Sequence, residues 1–154
     1  MEFAHWGEKQ EKWLFQLLET PLPTWFVNGS EFFGMHHEKE SFSRDHAVNF
    51  KKVLNKFAKY PSTVMLASGD IHMTEISKVN LSENKQTYEF NVGPWHSSLP
   101  FKLDTLKNPD RIAGADVFNF AIVKSKNTKG HFSVDVDDYG AESSNPLFSL
   151  RNLK

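Results

Sequence analysis

The feature that most constrains this chain is Thr63-Val64-Met65-Leu66-Ala67, which runs without interruption into Ser68-Gly69-Asp70-Ile71-His72. An apolar run of strand length with no polar alternation reads as a strand covered on both faces, as in an α/β layer. In open α/β sheets, ligands sit beyond the carboxyl ends of the strands. Asp70 and His72 therefore emerge where a site belongs. A small residue and a glycine permit a sharp turn, and a carboxylate and an imidazole then follow at i and i+2. That donor pair suits zinc, iron or manganese, with calcium less natural for the histidine. The same residues also fit a turn aspartate capping local amides beside a partly buried histidine.

The flanking sequence supports the α/β reading. Glu8 to Glu19 places Trp13, Leu14, Leu17 and Leu18 on one helical face, and Thr20-Pro21-Leu22-Pro23 stops the helix. Trp25-Phe26-Val27 is a short buried strand that ends at Asn28-Gly29-Ser30. A second helix is predicted over about Arg44 to Tyr60, with Ala47, Phe50, Val53, Leu54 and Phe57 facing inward. Ser43 is its expected N-cap, Asp45 lies in its first turn, and Pro61 ends it. Beyond His72 the pattern turns to β. Tyr88 to Val92 alternates, and Phe118–Lys124 and His131–Asp137 flank the hairpin signal Asn127-Thr128-Lys129-Gly130. Phe132, Val134 and Val136 should face one way, with Ser133, Asp135 and Asp137 facing the other. The long irregular stretch from Pro94 to Ala115 is of a kind more often functional than incidental. The expected class is mixed α/β: a mixed sheet with two helices, then a part rich in β-hairpins, all within a single domain over 1–154.

Composition narrows the function classes. The 154 residues carry 18 Lys and Arg against 19 Asp and Glu, interspersed, so no basic patch for nucleic acid is evident. The absence of cysteine excludes a disulfide scaffold and thiolate zinc sites. No run is long enough to span a bilayer, and the first residues lack the pattern of a signal peptide.

The ordered series Gly7-Glu8-x-Gln10-x-x-Trp13-Leu14-x-x-Leu17-Leu18, Trp25-Phe26-Val27, a second helix, then Val64-x-Leu66-x-Ser68-Gly69-Asp70-x-His72 resembles the later part of PhoD-like (alkaline phosphatase D-type) metallophosphatases. These belong to the metallophosphoesterase superfamily. The resemblance covers roughly the first half of the chain closely. It implies half of an α/β/β/α sandwich, an extracytoplasmic location, and phosphatase or phosphodiesterase chemistry on a phosphate-ester substrate at a two-metal site (Fe, Zn, Mn or Ca). Asp70 and His72 stand at the final pair of metal ligands. His36 and His37 fall in the loop after the first strand, where a related branch places a ligand and an acid-supplying histidine. Here Ser30 and Glu31 occupy the rough ligand position. Trp95 and His96 fall in a loop that shapes the substrate pocket, and Glu75 is placed to orient the His72 imidazole.

The departures matter as much. The motifs resembling "G-D-x-x-D/Y" and "G-N-H-D/E", which supply the bridging carboxylate, the Asn ligand and the catalytic His, are not in this chain and would precede Met1. Hydrolysis by this fold depends on metal-activated hydroxide and on charge neutralisation at the phosphoryl oxygens. The chain is therefore expected to be inactive alone, and to need a missing N-terminal half or a homodimer mate that covers an apolar patch left on the sheet's second face. The alternative is a catalytically inactive fragment or paralogue acting as a structural or interaction domain.

Lesser patterns have plainer explanations. Asp135-Val136-Asp137-Asp138-Tyr139-Gly140 lacks the third oxygen ligand and closing Glu of a calcium loop. The sequons at Asn28 and Asn80 are common by chance. Lys51, Lys52, Lys56 and Lys59 form the wet face of the second helix.

Overall fold

A computed structural model describes residues 6–34, 41–97 and 102–154. The chain is mixed α/β: α1 (Gly7–Leu17), β1 (Thr24–Val27), α2 (Phe42–Asp45), α3 (Ala47–Lys59), β2 (Val64–Ser68), β3 (Thr74–Ser82), β4 (Lys85–Asn91), β5 (Arg111–Ala115), β6 (Asn119–Thr128), β7 (His131–Gly140) and β8 (Pro146–Leu153). A five-stranded sheet has the order β1-β2-β4-β3-β5, and a three-stranded sheet the order β6-β7-β8. β1, β2 and β4 are mutually parallel, while β3 runs antiparallel to β4 and β5.

The apolar run at β2 explains the layering. Its side chains alternate across the sheet, and both sets are buried. Val64 and Leu66 pack among Leu14, Leu18, Val53 and Phe57 of the helices. Met65, between them, packs with Ile76, Tyr88 and Phe90 against Val134 and Val136 of the second sheet. Helices thus cover one face and β6–β8 the other, in three layers. Trp25 Nε1 donates to Ser125 Oγ at 2.9 Å and ties the two sheets near their edge. The second face of the main sheet was expected to lie open; instead the chain's own hairpin part covers it, because the inward row of β6–β8 needs the same burial.

Three boundaries differ from the sequence reading. α1 ends at Leu17, and the Thr20 hydroxyl donates to the Leu17 carbonyl at 2.8 Å, so the helix stops before Pro21. Leu14 and Leu18 are buried as expected, but Trp13 and Leu17 are exposed beside β1, whose outer edge has no strand partner among the described residues. The predicted second helix is broken at His46 (φ −134°, ψ 48°) into α2 and α3, and Ser43 lies inside α2 rather than capping it. Ser41 occupies the N-cap position, and its hydroxyl lies 3.0 Å from that of Ser43.

The hairpin over 127–130 is present, turning through Lys129 and Gly130, both at positive φ. A further strand, β8, pairs with β7 and was not anticipated. The end of the long irregular stretch forms β5. No helix among the described residues is long and apolar enough to cross a membrane.

Candidate functional site

β2 delivers its carboxyl end between β1 and β4. Asn28 N–H donates to the Ala67 carbonyl at 2.9 Å and Val92 N–H to the Ser68 carbonyl at 3.2 Å, so the strand end is held from both sides. The Asn91 amide donates to the Gly69 carbonyl at 3.1 Å and fixes the start of the turn. Ile71 and Met73 are buried, which leaves Asp70 exposed and His72 half-buried on the outer side. Asp70 (φ 82°) and His72 (φ 51°) both take the left-handed backbone conformation. For non-glycine residues that conformation costs on the order of 1–2 kcal/mol each, and it persists where surrounding contacts impose it. The turn thus holds Asp70 and His72 in left-handed backbone at the expense of local backbone energy.

The loop after β4 closes on this turn. Ser97 Oγ lies 3.4 Å from each ring nitrogen of His72, at the outer end of hydrogen-bonding range. Gly93 N–H donates to Thr74 Oγ1 at 3.2 Å, and Asn119 N–H donates to the Pro94 carbonyl at 3.1 Å. Trp95 and His96, between these ties and Ser97, are exposed. His36 and His37 lie outside the described residues. Glu75 accepts hydrogen bonds from Arg111 Nε at 2.5 Å and Ser77 Oγ at 3.2 Å, and also from the Asn108 amide. Asp135 and Asp137, in the discounted calcium pattern, pair with Lys126 and Arg151.

The sequence gives little sign of what lies behind the turn. Glu31, Glu75 and Glu89 are all buried on the helix side of the sheet. Register places Ser68, Asn91, Glu75 and Gly114 in one row across it, with Glu89 and Ser77 in the next row. Glu89 accepts from the Phe32 amide at 2.5 Å, the Phe33 amide at 2.8 Å and the Ser68 hydroxyl at 2.6 Å. It thereby clamps the loop after β1 to the end of β2. Burial pushes the Glu89 carboxyl up from its ordinary range, and those three donors oppose the shift. Glu31 is pushed up to about 8, chiefly by burial and then by the Glu89 and Glu75 carboxylates, with Arg111 opposing. Its carboxyl group occupies the space beside Gly34 where any side chain would collide. Asn91 Oδ1 is buried without a hydrogen-bond partner. Glu89 and Asn91 were polar members of an alternating segment, which ordinarily signals a wet face. The one available hint was that β4 had to lie beside a strand buried on both sides.

Asp70 and His72 therefore both lie in the turn at the carboxyl end of β2. The chain is similar to PhoD. A solved structure of PhoD matches it at 15% identity with a TM-score of 0.48, covering 94% of this chain and 34% of that chain. The chain thus spans about a third of the length of that structure. No family model matches it, and no curated protein does.

Proposed function

We propose that the chain contributes to metal-dependent phosphoester hydrolysis, with Asp70 Oδ and a His72 ring nitrogen as two ligands of a two-metal site. The single observation that carries this reading is the turn itself. Two side chains of different chemistry, both on left-handed backbone, alternate with the buried anchors Ile71 and Met73. An oxygen and a nitrogen donor fit zinc, manganese or iron, and they fill only part of a coordination sphere. Among the described residues no group of three His, Cys, Asp or Glu side chains could hold a metal ion. The reading therefore assigns the remaining donors to His36 or His37, to a missing N-terminal half, or to a homodimer mate.

Metal held by Asp70 and His72 would supply an activated hydroxide and neutralise charge on the phosphoryl oxygens. The chain's own part is positional. Asn91 fixes Gly69, Glu89 holds the loop after β1 against Ser68, and Ser97 sits against the His72 ring. On this reading Glu75 supports the site from below, through the Arg111 pair.

The test is turnover of p-nitrophenyl phosphate, with excess Mn²⁺ or Zn²⁺, by this chain assembled with whatever supplies the remaining donors, since the chain alone is expected to be inactive. Asp70→Ala and His72→Ala should reduce it to background with the fold intact. Unaltered turnover in either variant removes the assignment. A second reading, a domain that binds metal without catalysis, is favoured by the shortage of donors. It is the correct one if metal binds through Asp70 and His72 yet no ester is turned over even when the remaining donors are supplied.

A further inference from the structure

The loop that reaches His72 also begins a strip of aromatic surface. Trp95 is 66% exposed and Phe120 37% exposed. Their ring centroids lie 5.2 Å apart, edge to face, and Phe120 stacks on Tyr139 at 5.5 Å with the planes 20° apart. Phe120 and Tyr139 are direct cross-strand partners of β6 and β7. Trp95 is not adrift at the end of this strip, because Pro94 is tied to Asn119 and Gly93 to Thr74. Large exposed aromatic surfaces are costly to leave in water, and contiguous ones mark sites where a ligand covers them.

We propose that Trp95, Phe120 and Tyr139 form a stacking shelf for a planar heteroaromatic ring on the substrate, so that the ester acted on is a nucleoside phosphate. This rests on the phosphoester reading and narrows it to a substrate class. Three features point to that occupant. The surface is built of flat rings, two of them stacked, and such surfaces take flat rings by stacking. Trp95 is two residues from Ser97, hence within about 7 Å of it along the chain, and Ser97 Oγ is 3.4 Å from the His72 ring. The aromatic strip and the donor pair are thus joined through one short loop. Finally, the net charge of −1 and the absence of a basic patch suit a small ligand held by metal and stacking rather than a polynucleotide held by its phosphates.

The experiment is calorimetric titration, in buffer containing Mn²⁺, with adenosine 5′-monophosphate, ribose 5-phosphate and adenosine. The wild-type chain, Trp95→Ala, Trp95→Phe and His72→Ala are compared. The first two ligands share phosphate and sugar and differ only in the base. The nucleotide should bind on the order of tenfold more tightly than ribose 5-phosphate, the factor that one base–aromatic stack supplies. Trp95→Ala should erase that preference and Trp95→Phe should largely restore it. Equal binding of the two phosphates, or a preference that survives Trp95→Ala, overturns the shelf. The underlying reading fails separately. If adenosine binding depends on Trp95 while His72→Ala leaves both phosphates unaffected, the shelf stands and the metal assignment falls.

Discussion

The two faces of the five-stranded sheet are buried equally well and built in opposite ways. The face toward β6–β8 is hydrocarbon and aromatic: Met65, Ile76, Tyr88 and Phe90 against Val134 and Val136. The face toward the helices begins the same way, with Val64 and Leu66, and then turns polar at the carboxyl end of β2. There Ser68, Asn91, Glu75 and Glu89 follow, with Glu31 buried beside them. Burying three acidic side chains together, even with Arg111 beside them and the Glu31 carboxyl pushed up to about 8, is an expensive way to fill space, since apolar residues of similar volume are often as stable or more so. That expense is concentrated in the layer behind the Asp70–His72 turn, although the opposite face also buries Asp138. One face holds the layers together; the other holds a turn in a conformation it would not choose alone.

The comparison can be broken most forcefully at Arg111, the guanidinium paired with Glu75 in the acid cluster. Arg111→Ala should destabilise the chain by about 3–5 kcal/mol in urea denaturation, because Glu75 is left buried without its counter-charge. A loss below about 1 kcal/mol would mean that the acids are neutral or solvated and that the faces do not differ as described.

Proton linkage sharpens it next. The Glu31 pKa rises from 4.5 to about 8 on folding. A raised folded pKa contributes stability that is fully present below about pH 4.5 and is lost as pH rises through 8. Stability should therefore fall by several kcal/mol across that window, at up to about 1.4 kcal/mol per pH unit from this group. Glu31→Gln should flatten the slope. The opposite face has one buried acid of its own, Asp138, whose oxygens have no hydrogen-bond partner and which burial pushes up to about 7. Its loss has the same sign and ends about a unit lower, so Asp138→Asn should flatten only the part of the slope below about pH 7. Slopes unchanged in both variants would contradict the assignment of either carboxyl.

The smallest effect separates function from fold most cleanly. Lys129 (φ 52°) in the β6–β7 hairpin and Asp70 (φ 82°) at the site are both left-handed non-glycines. Replacing either by glycine relieves strain and should stabilise the chain by about 0.5–1 kcal/mol in thermal unfolding. Only Asp70→Gly should lose metal. A destabilised Asp70→Gly would show that the aspartate is there to hold the turn.

These contrasts show what could be seen in the sequence. β2 was legible because an unbroken apolar run admits few environments. The β6–β7 hairpin was legible because its turn residues match its geometry, with Gly130 at positive φ. Glu89 was not, because strict alternation looks the same whether the polar row meets water or a buried network. β8 was missed since Pro146–Leu153 follows a polar stretch and pairs only at long range with β7. The break at His46 was missed because apolar spacing continues through it from Phe42 to Phe50, and the chain kinks to pack both rings on Phe32.

The central claim is that Asp70 and His72 grip one cation together. A Zn²⁺ titration followed through the imidazole nitrogen resonances of His72 tests it directly. The account predicts a metal-bound His72 signal in the wild-type chain that weakens at least ~100-fold in apparent affinity in Asp70→Ala. A His72 ring that ignores zinc, or that binds it equally well without Asp70, would contradict it.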